Sequence, residues 1–297
     1  MLEPLPYDEW KATKTTLHLM CQIVGKIRLR HVPHKSHWWN VTLHPTARGL
    51  STLRMRAGET FFEIAFDFVD HRVIVSTDSA HAPATIELRD GLSVSEFYRT
   101  LFSILREFGL DISIVATPYG MGVETPFASD TEHASYDATM VRRWWRAVLW
   151  TSNVFDRYAS EFNGKQSPAH LFWHSFDLAL ARFSGRPAGG PPKSDRVQQE
   201  AYSHEVIAVG FWAGDETTPF PAYYTYTAPE PNTLATMPLA PEGADWIASG
   251  AGHIGRLAYD VVRESANPSA TLLSFLRSGF EAGARAAAWN AEALFAR

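Results

Sequence analysis

Residues 170–186, HLFWHSFDLALARFSGR, gather two histidines, a tryptophan, an aspartate and two arginines into an otherwise apolar run. Imidazole and carboxylate are the groups that move protons or hold divalent metals near neutral pH. His170 and His174 stand four apart. On a helix that spacing puts both rings on one face, with Asp177 one turn on, and two histidines with a carboxylate suit a metal. On a strand the rings still share a face, but Asp177 points away and a third ligand must come from elsewhere. Phe176, Leu178 and Leu180 alternate as a strand does, which favours the second geometry. The plain alternative is a pair of hydrogen-bonded histidines with no metal.

AYSHEV, residues 201–206, sets His204 beside Glu205. In a strand the two face opposite sides, and Glu205 keeps step with Ile207, Val209 and Phe211. A carboxylate on that apolar face needs a partner or a raised pKa. It is either ion-paired, with Arg182 or Arg48, or a general acid or base. The same arginines are candidates for bidentate capture of an anion. In DFVDHR, residues 67–72, a hairpin turn accounts for Asp70, whereas Asp67 interrupts an apolar strand. Trp38, Trp39, Trp173, Trp212, Tyr223 and Tyr224 serve as core or as cavity wall. The expected catalytic groups are thus His170, His204 and Glu205. Substrate would be held by Arg182, Trp173, Trp39, Arg48, Tyr223 and Trp212, and a metal by His170, His174 and Asp177.

Other chemistries lack their motifs: there is no Walker A loop, no Gly-x-Gly-x-x-Gly after an expected strand, no Cys-x-x-Cys and no Gly-x-Ser-x-Gly. The single cysteine, Cys21, rules out an intramolecular disulfide. A net charge of -5 without long runs of one sign argues against a nucleic-acid partner. No signal-peptide pattern and no membrane-length apolar run occurs, so a cytoplasmic protein is expected.

These residues need elements to place them. Helical spacing starts near Glu9, with Asp8 as cap, and carries Trp10, Leu17, Cys21 and Val24. Strands are expected at 36–43 and 50–56, a hairpin at 61–68 and 71–77, and short strands at 85–88 and 112–115. Ser93 and Glu96 form a capping box for a helix ending at Gly109. A Pro- and Gly-rich linker covers 117–136. Asp137 then caps a helix reaching Phe162, and residues 186–195 form a flexible insertion. Strands follow at 203–212, 222–227 and 254–259, and Asn267-Pro268 opens the last helix. Residues 229–252 carry no clear periodicity.

Both halves read helix, aromatic strand with arginine, hairpin, helix. Trp39 and Arg48 are nine apart, as are Trp173 and Arg182. The expected fold is α+β, with two similar halves (1–116 and 137–297), each an antiparallel sheet with flanking helices. They would pack as one unit about a pseudo-twofold, with a ligand cleft between.

HWW (37–39), TARGL (46–50), FDFVDHR (66–72), HASYD (133–137), SFDLA and RFSGR (within 175–186), EAYSHE (200–205) and GFW (210–212) together resemble an uncharacterised bacterial family of unknown function. The similarity spans nearly the whole chain. It implies one family-wide unit of this length and names no activity, cofactor or partner. It also implies glycine where this chain has His174, which favours His170 and His204 over a two-histidine metal pair. The expected function is an enzyme acting on a small polar or anionic molecule in an aromatic-lined cleft. Its chemistry would be acid–base or metal-assisted, with a divalent metal as the one cofactor in view. The alternatives are a small-molecule binding module without catalysis and a structural or interaction protein; oligomeric state is left open.

Overall fold

The computed structural model describes residues 2–79, 81–188, 190 and 194–294. Helix α1 (Tyr7–His31) is buried on nearly every side along its middle, which suits a stretch with apolar residues all round. Asp8 is not its cap. Pro6 holds that position, and Asp8 and Glu9 sit in the first turn, where the helix dipole favours negative charge.

The expected strand at 36–43 is absent. Ser36–Trp38 form a single 3-10 turn, with φ at +58° for His37 and +61° for Trp38. That left-handed backbone cannot continue an extended chain. The strand expected at 50–56 is split into β2 (Gly49–Ser51) and β3 (Met55–Ala57) by Leu53 at φ +52°. With β1 (His44–Pro45), β4 (Thr60–Asp67), β5 (Arg72–Thr77) and β6 (Ala84–Glu87) they form the first sheet, in the order β1-β2-β4-β5-β6 with β3 also on β4. On β4 the expected alternation holds: Phe62, Ile64 and Phe66 are buried, as is Phe68 just beyond. Ser93 caps α2 (Val94–Glu107) by accepting from the Glu96 backbone N–H at 3.1 Å. The Glu96 carboxylate pairs with Arg89 instead of closing the box. Residues 112–115 are not a strand.

Asp137 caps α3 (Ala138–Ala159), accepting from the Thr139 and Met140 N–H groups. The helix stops short of Phe162. The second sheet then forms from β7 (His170–Phe172), β8 (Asp177–Pro187), β9 (His204–Trp212), β10 (Ala222–Ala228), β11 (Asp245–Ser249) and β12 (Gly252–Ala258). Its order is β11-β12-β10-β9-β8-β7. Short α4 (Arg196–Ala201) lies between β8 and β9. Residues 189 and 191–193 of the expected insertion lie outside the described residues. α5 (Tyr259–Glu264) follows, then α6 (Pro268–Ala286), capped by Asn267.

Among the described residues, then, two six-stranded antiparallel sheets with flanking helices make an α+β fold, one sheet to each half. The matched Trp-to-Arg spacing does not mark equivalent places. Trp39 follows the 3-10 turn, whereas Trp173 lies in the β7–β8 turn. Arg48 is half exposed and Arg182 is buried. One continuous core joins α1, α2, α3, α6 and both sheets. Among the described residues no helix is long and apolar enough to cross a membrane.

The second sheet has two unlike faces. Leu178, Leu180, Ile207, Val209 and Tyr223 point into the core. Gly279 and Gly283 of α6 lie so close to Thr225 and Thr227 on this face that any side chain there would collide. The opposite face carries Ala179, Ala181, Ala208 and Gly210, with Tyr224 and Tyr226, and opens into a cleft.

Candidate functional site

Antiparallel register fixes the floor of this cleft. Tyr224 lies opposite Gly210 and Tyr226 opposite Ala208; on the far side of β9, Ala179 and Ala181 of β8 face the same pair. Small residues leave room for the tyrosine rings to lie flat across the sheet. A Cβ on Gly210 would come within 2.2 Å of the Tyr224 ring. Lying over Gly210, Tyr224 reaches past β9 and donates its hydroxyl to Asp177 Oδ2 at 2.5 Å. Ser175 Oγ donates to Asp177 Oδ1, also at 2.5 Å. Tyr226 stacks beside Tyr224, with centroids 6.1 Å apart, and its hydroxyl lies 3.3 Å from that of Tyr202. Burial, then the Asp177 carboxylate, pushes the Tyr224 phenol far up, so it stays a neutral donor; Tyr226 is pushed up likewise, first by burial and then by Tyr202.

The turn between β7 and β8 (173–176) divides the cleft into two chambers, of about 540 and about 780 Å3, that share His174, Ser175, Asp177, Tyr224 and Tyr226 as wall. Phe176 closes the turn at φ +60°, costly for an aromatic residue. Burial offsets that cost: its ring is stacked on Trp144 at 4.7 Å and on His18 at 5.0 Å. Trp173 is seated by Gly25 of α1, where any Cβ would strike the indole. The wall facing the sheet comes from α1, residues 37–41 and α4, with Lys26, Trp38, Trp39 and Tyr202.

His174 is half-buried, and among the described residues its ring has no hydrogen-bond partner. Burial holds its pKa below the ordinary value, and Asp177 opposes that only in part. It is therefore a neutral imidazole facing both chambers. His18, in the second chamber, is held down to about 3 by burial and then by Lys14, and contacts the His174 carbonyl at 3.2 Å.

The expected catalytic trio does not assemble. His170 is level with Ala179, and Ala179 with Gly210. His204 is at the other end of β9, six residues from Gly210, roughly 20 Å at the rise of a strand. The Thr42 hydroxyl spends its proton on the Trp39 carbonyl, so His170 Nδ1–H donates to Thr42 at 3.1 Å; burial holds this ring down to about 3. His170 does line the first chamber. His204 packs edge-on against His37, 5.7 Å away, and bonds Ser203. Glu205 faces away from the cleft, paired with Arg186 at 2.7 Å and accepting from Ser184. Its partner is neither Arg182 nor Arg48.

Arg182 shares the core face with Leu178 and Leu180. Its guanidinium lies 3.4 Å over the Tyr158 ring and donates to the Tyr158 carbonyl. It thus sits at the C-terminal end of α3, where a cation is favoured. Arg48 pairs with Asp67 and Asp70 on the first sheet. Neither arginine borders the cleft, so neither is an anion clamp there. Asp67 caps the hairpin turn through the Val69 and Asp70 N–H groups. Tyr223 is in the core, bonded to Thr151. Trp39 and Trp173 line the first chamber, and Trp212 the second. The metal set fails too: among the described residues no three His, Cys, Asp or Glu side chains come together as ligands. The hairpin separates His170 on β7 from His174 in the turn and Asp177 on β8.

Sequence reasoning passed over Ser175, Tyr202, Tyr226, Lys26 and His18. One signal for the floor was present: alanine and glycine at alternate positions of two strands, 179 and 181, 208 and 210. Small residues on one parity of adjoining strands leave space above them.

A family model described as a family of unknown function, DUF5996, matches residues 2–296, and the chain belongs to that family. No curated protein and no solved structure matches the chain.

Proposed function

We propose that this member of the family binds a small organic molecule in the cleft over β8, β9 and β10. The supporting observation is the first chamber: about 540 Å3, walled by aromatic rings and floored by small residues, with a polar cluster at Ser175, Asp177 and Tyr224. Space of that size, mostly apolar with few polar groups, is what small-molecule sites share. Of the expected trio only His170 borders the first chamber; Glu205 lies on the other face of the sheet and His204 at its far end. That favours binding over the acid–base trio.

One observation keeps an enzymatic reading beside it. His174 is a neutral, unpartnered imidazole at the divide between the chambers, placed as a general base would be.

Ligand-observed NMR with a fragment library tests the binding reading. Ala208→Phe fills the floor beside Tyr226, and Ala181→Phe does so from β8. Fragments that bind the wild type and are lost in both folded variants support the site. Binding that survives in both, or no binding by the wild type, refutes it.

A further inference from the structure

We infer that the ligand of this cleft carries a positively charged nitrogen, as ammonium, amidinium or guanidinium, on a flat apolar body; this rests on the binding reading above. Ser175 and Tyr224 each carry one hydroxyl proton, and both are committed to Asp177 at 2.5 Å. Toward a ligand their oxygens are acceptors only. Tyr202 and Tyr226 share one proton at 3.3 Å, so one of these hydroxyls and the His174 ring N–H, both off the carboxylate, remain as donors. The Asp177 carboxylate adds further lone pairs and no donor. At Asp177, with Ser175 and Tyr224, the polar cluster therefore offers acceptors only, and its complement is a group with several N–H bonds.

Charge and ring placement agree. Across the two chambers Lys14 and Lys26 face Asp177, Asp195, Asp215 and Glu216, an excess of negative charge. Asp177 is only 8% exposed, so a cation meeting it would be largely out of water, where ionic attraction is strong. Aromatic faces attract cations. The protein already places one here, with the Lys26 ammonium 5.8 Å over the Trp173 ring.

The test uses the full chain and three probes of one shape: 2-phenylethylamine, 2-phenylethanol and 3-phenylpropionate, titrated at neutral pH. The amine is expected to bind roughly tenfold more tightly than the alcohol, with the carboxylate weakest. Asp177→Asn should remove the preference for the amine and leave the alcohol's affinity within about twofold. The wild-type ranking decides even where that variant fails to fold. Equal binding of all three, or preference for the carboxylate, overturns the cation inference and leaves the binding reading standing. Saturable binding by none of them, together with an empty fragment screen, overturns both.

Discussion

Gly210→Ala tests the floor in isolation, because it adds one methyl group and no polarity. That Cβ would stand 2.2 Å from Cζ of Tyr224, 2.3 Å from its hydroxyl and 2.4 Å from Cε1. Real contacts stop near 3.4 Å, so the ring must lift by more than 1 Å on the scale of van der Waals contact. Lifting breaks the 2.5 Å bond to Asp177. Overpacking of this kind costs about 1–3 kcal/mol, and a hydrogen bond to a charged group is worth about 1.5–3 kcal/mol. A loss of about 3 kcal/mol is expected in urea unfolding, along with loss of probe binding. Because the cost lies in one contact, it should vanish when the ring is absent. Gly210→Ala in a Tyr224→Ala background should cost less than about 0.5 kcal/mol, a coupling of more than 2 kcal/mol. Additive costs in that cycle would refute the packing argument, since the glycine would then be needed for some other reason.

Burial holds both His18 and His170 down to about 3. An unfolded histidine protonates near pH 6.5, so stability is complete above that value and is lost as pH falls from about 6.5 toward 3. The slope is up to about 1.4 kcal/mol per pH unit for each histidine, and His18→Gln should flatten the acid limb of urea unfolding by one such share; an unchanged slope contradicts the assignment. Glu205→Gln should cost less than about 1 kcal/mol and leave probe affinity unaltered, because its pair with Arg186 is partly solvated and faces away from the cleft. Arg182→Lys should cost about 2 kcal/mol or more, since lysine lacks the planar group lying over Tyr158, while the folded fraction keeps its probe affinity. Dialysis against EDTA should leave probe affinity unchanged in calorimetry, no ligand trio having converged among the described residues.

Local signals predicted the fold wherever local chemistry decided it. Ser93, Asp137 and Asn267 cap helices through their own side chains, and the β4–β5 hairpin follows from alternation, though four residues, 68–71, and not two make its turn. Residues 36–43 misled because aromatic and β-branched content reads as strand, while tertiary contacts hold His37 and Trp38 at positive φ. His37 bonds the carbonyls of Glu200 and Ala201, and Leu43 bridges to Leu171. The turn at 173–176 contains no glycine or proline to announce it. Phe176 occupies a left-handed position only because Trp144 and His18 cover its ring, and both come from distant helices. Much of the site was nevertheless contained in parity. Arg182 keeps step with Leu178 and Leu180, and Glu205 with Ile207 and Val209, so neither can share a face with Asp177, Ala179 and Ala208. What parity cannot give is distance along a strand, which is what parts His170 from His204.

The most direct measurement is a crystal structure of the full chain with 2-phenylethylamine bound. The amine nitrogen is predicted within hydrogen-bonding distance of Asp177, with the phenyl ring over the alanine floor beside Tyr226. A probe seated elsewhere on the molecule, or a cleft filled by the protein's own side chains, would contradict the account.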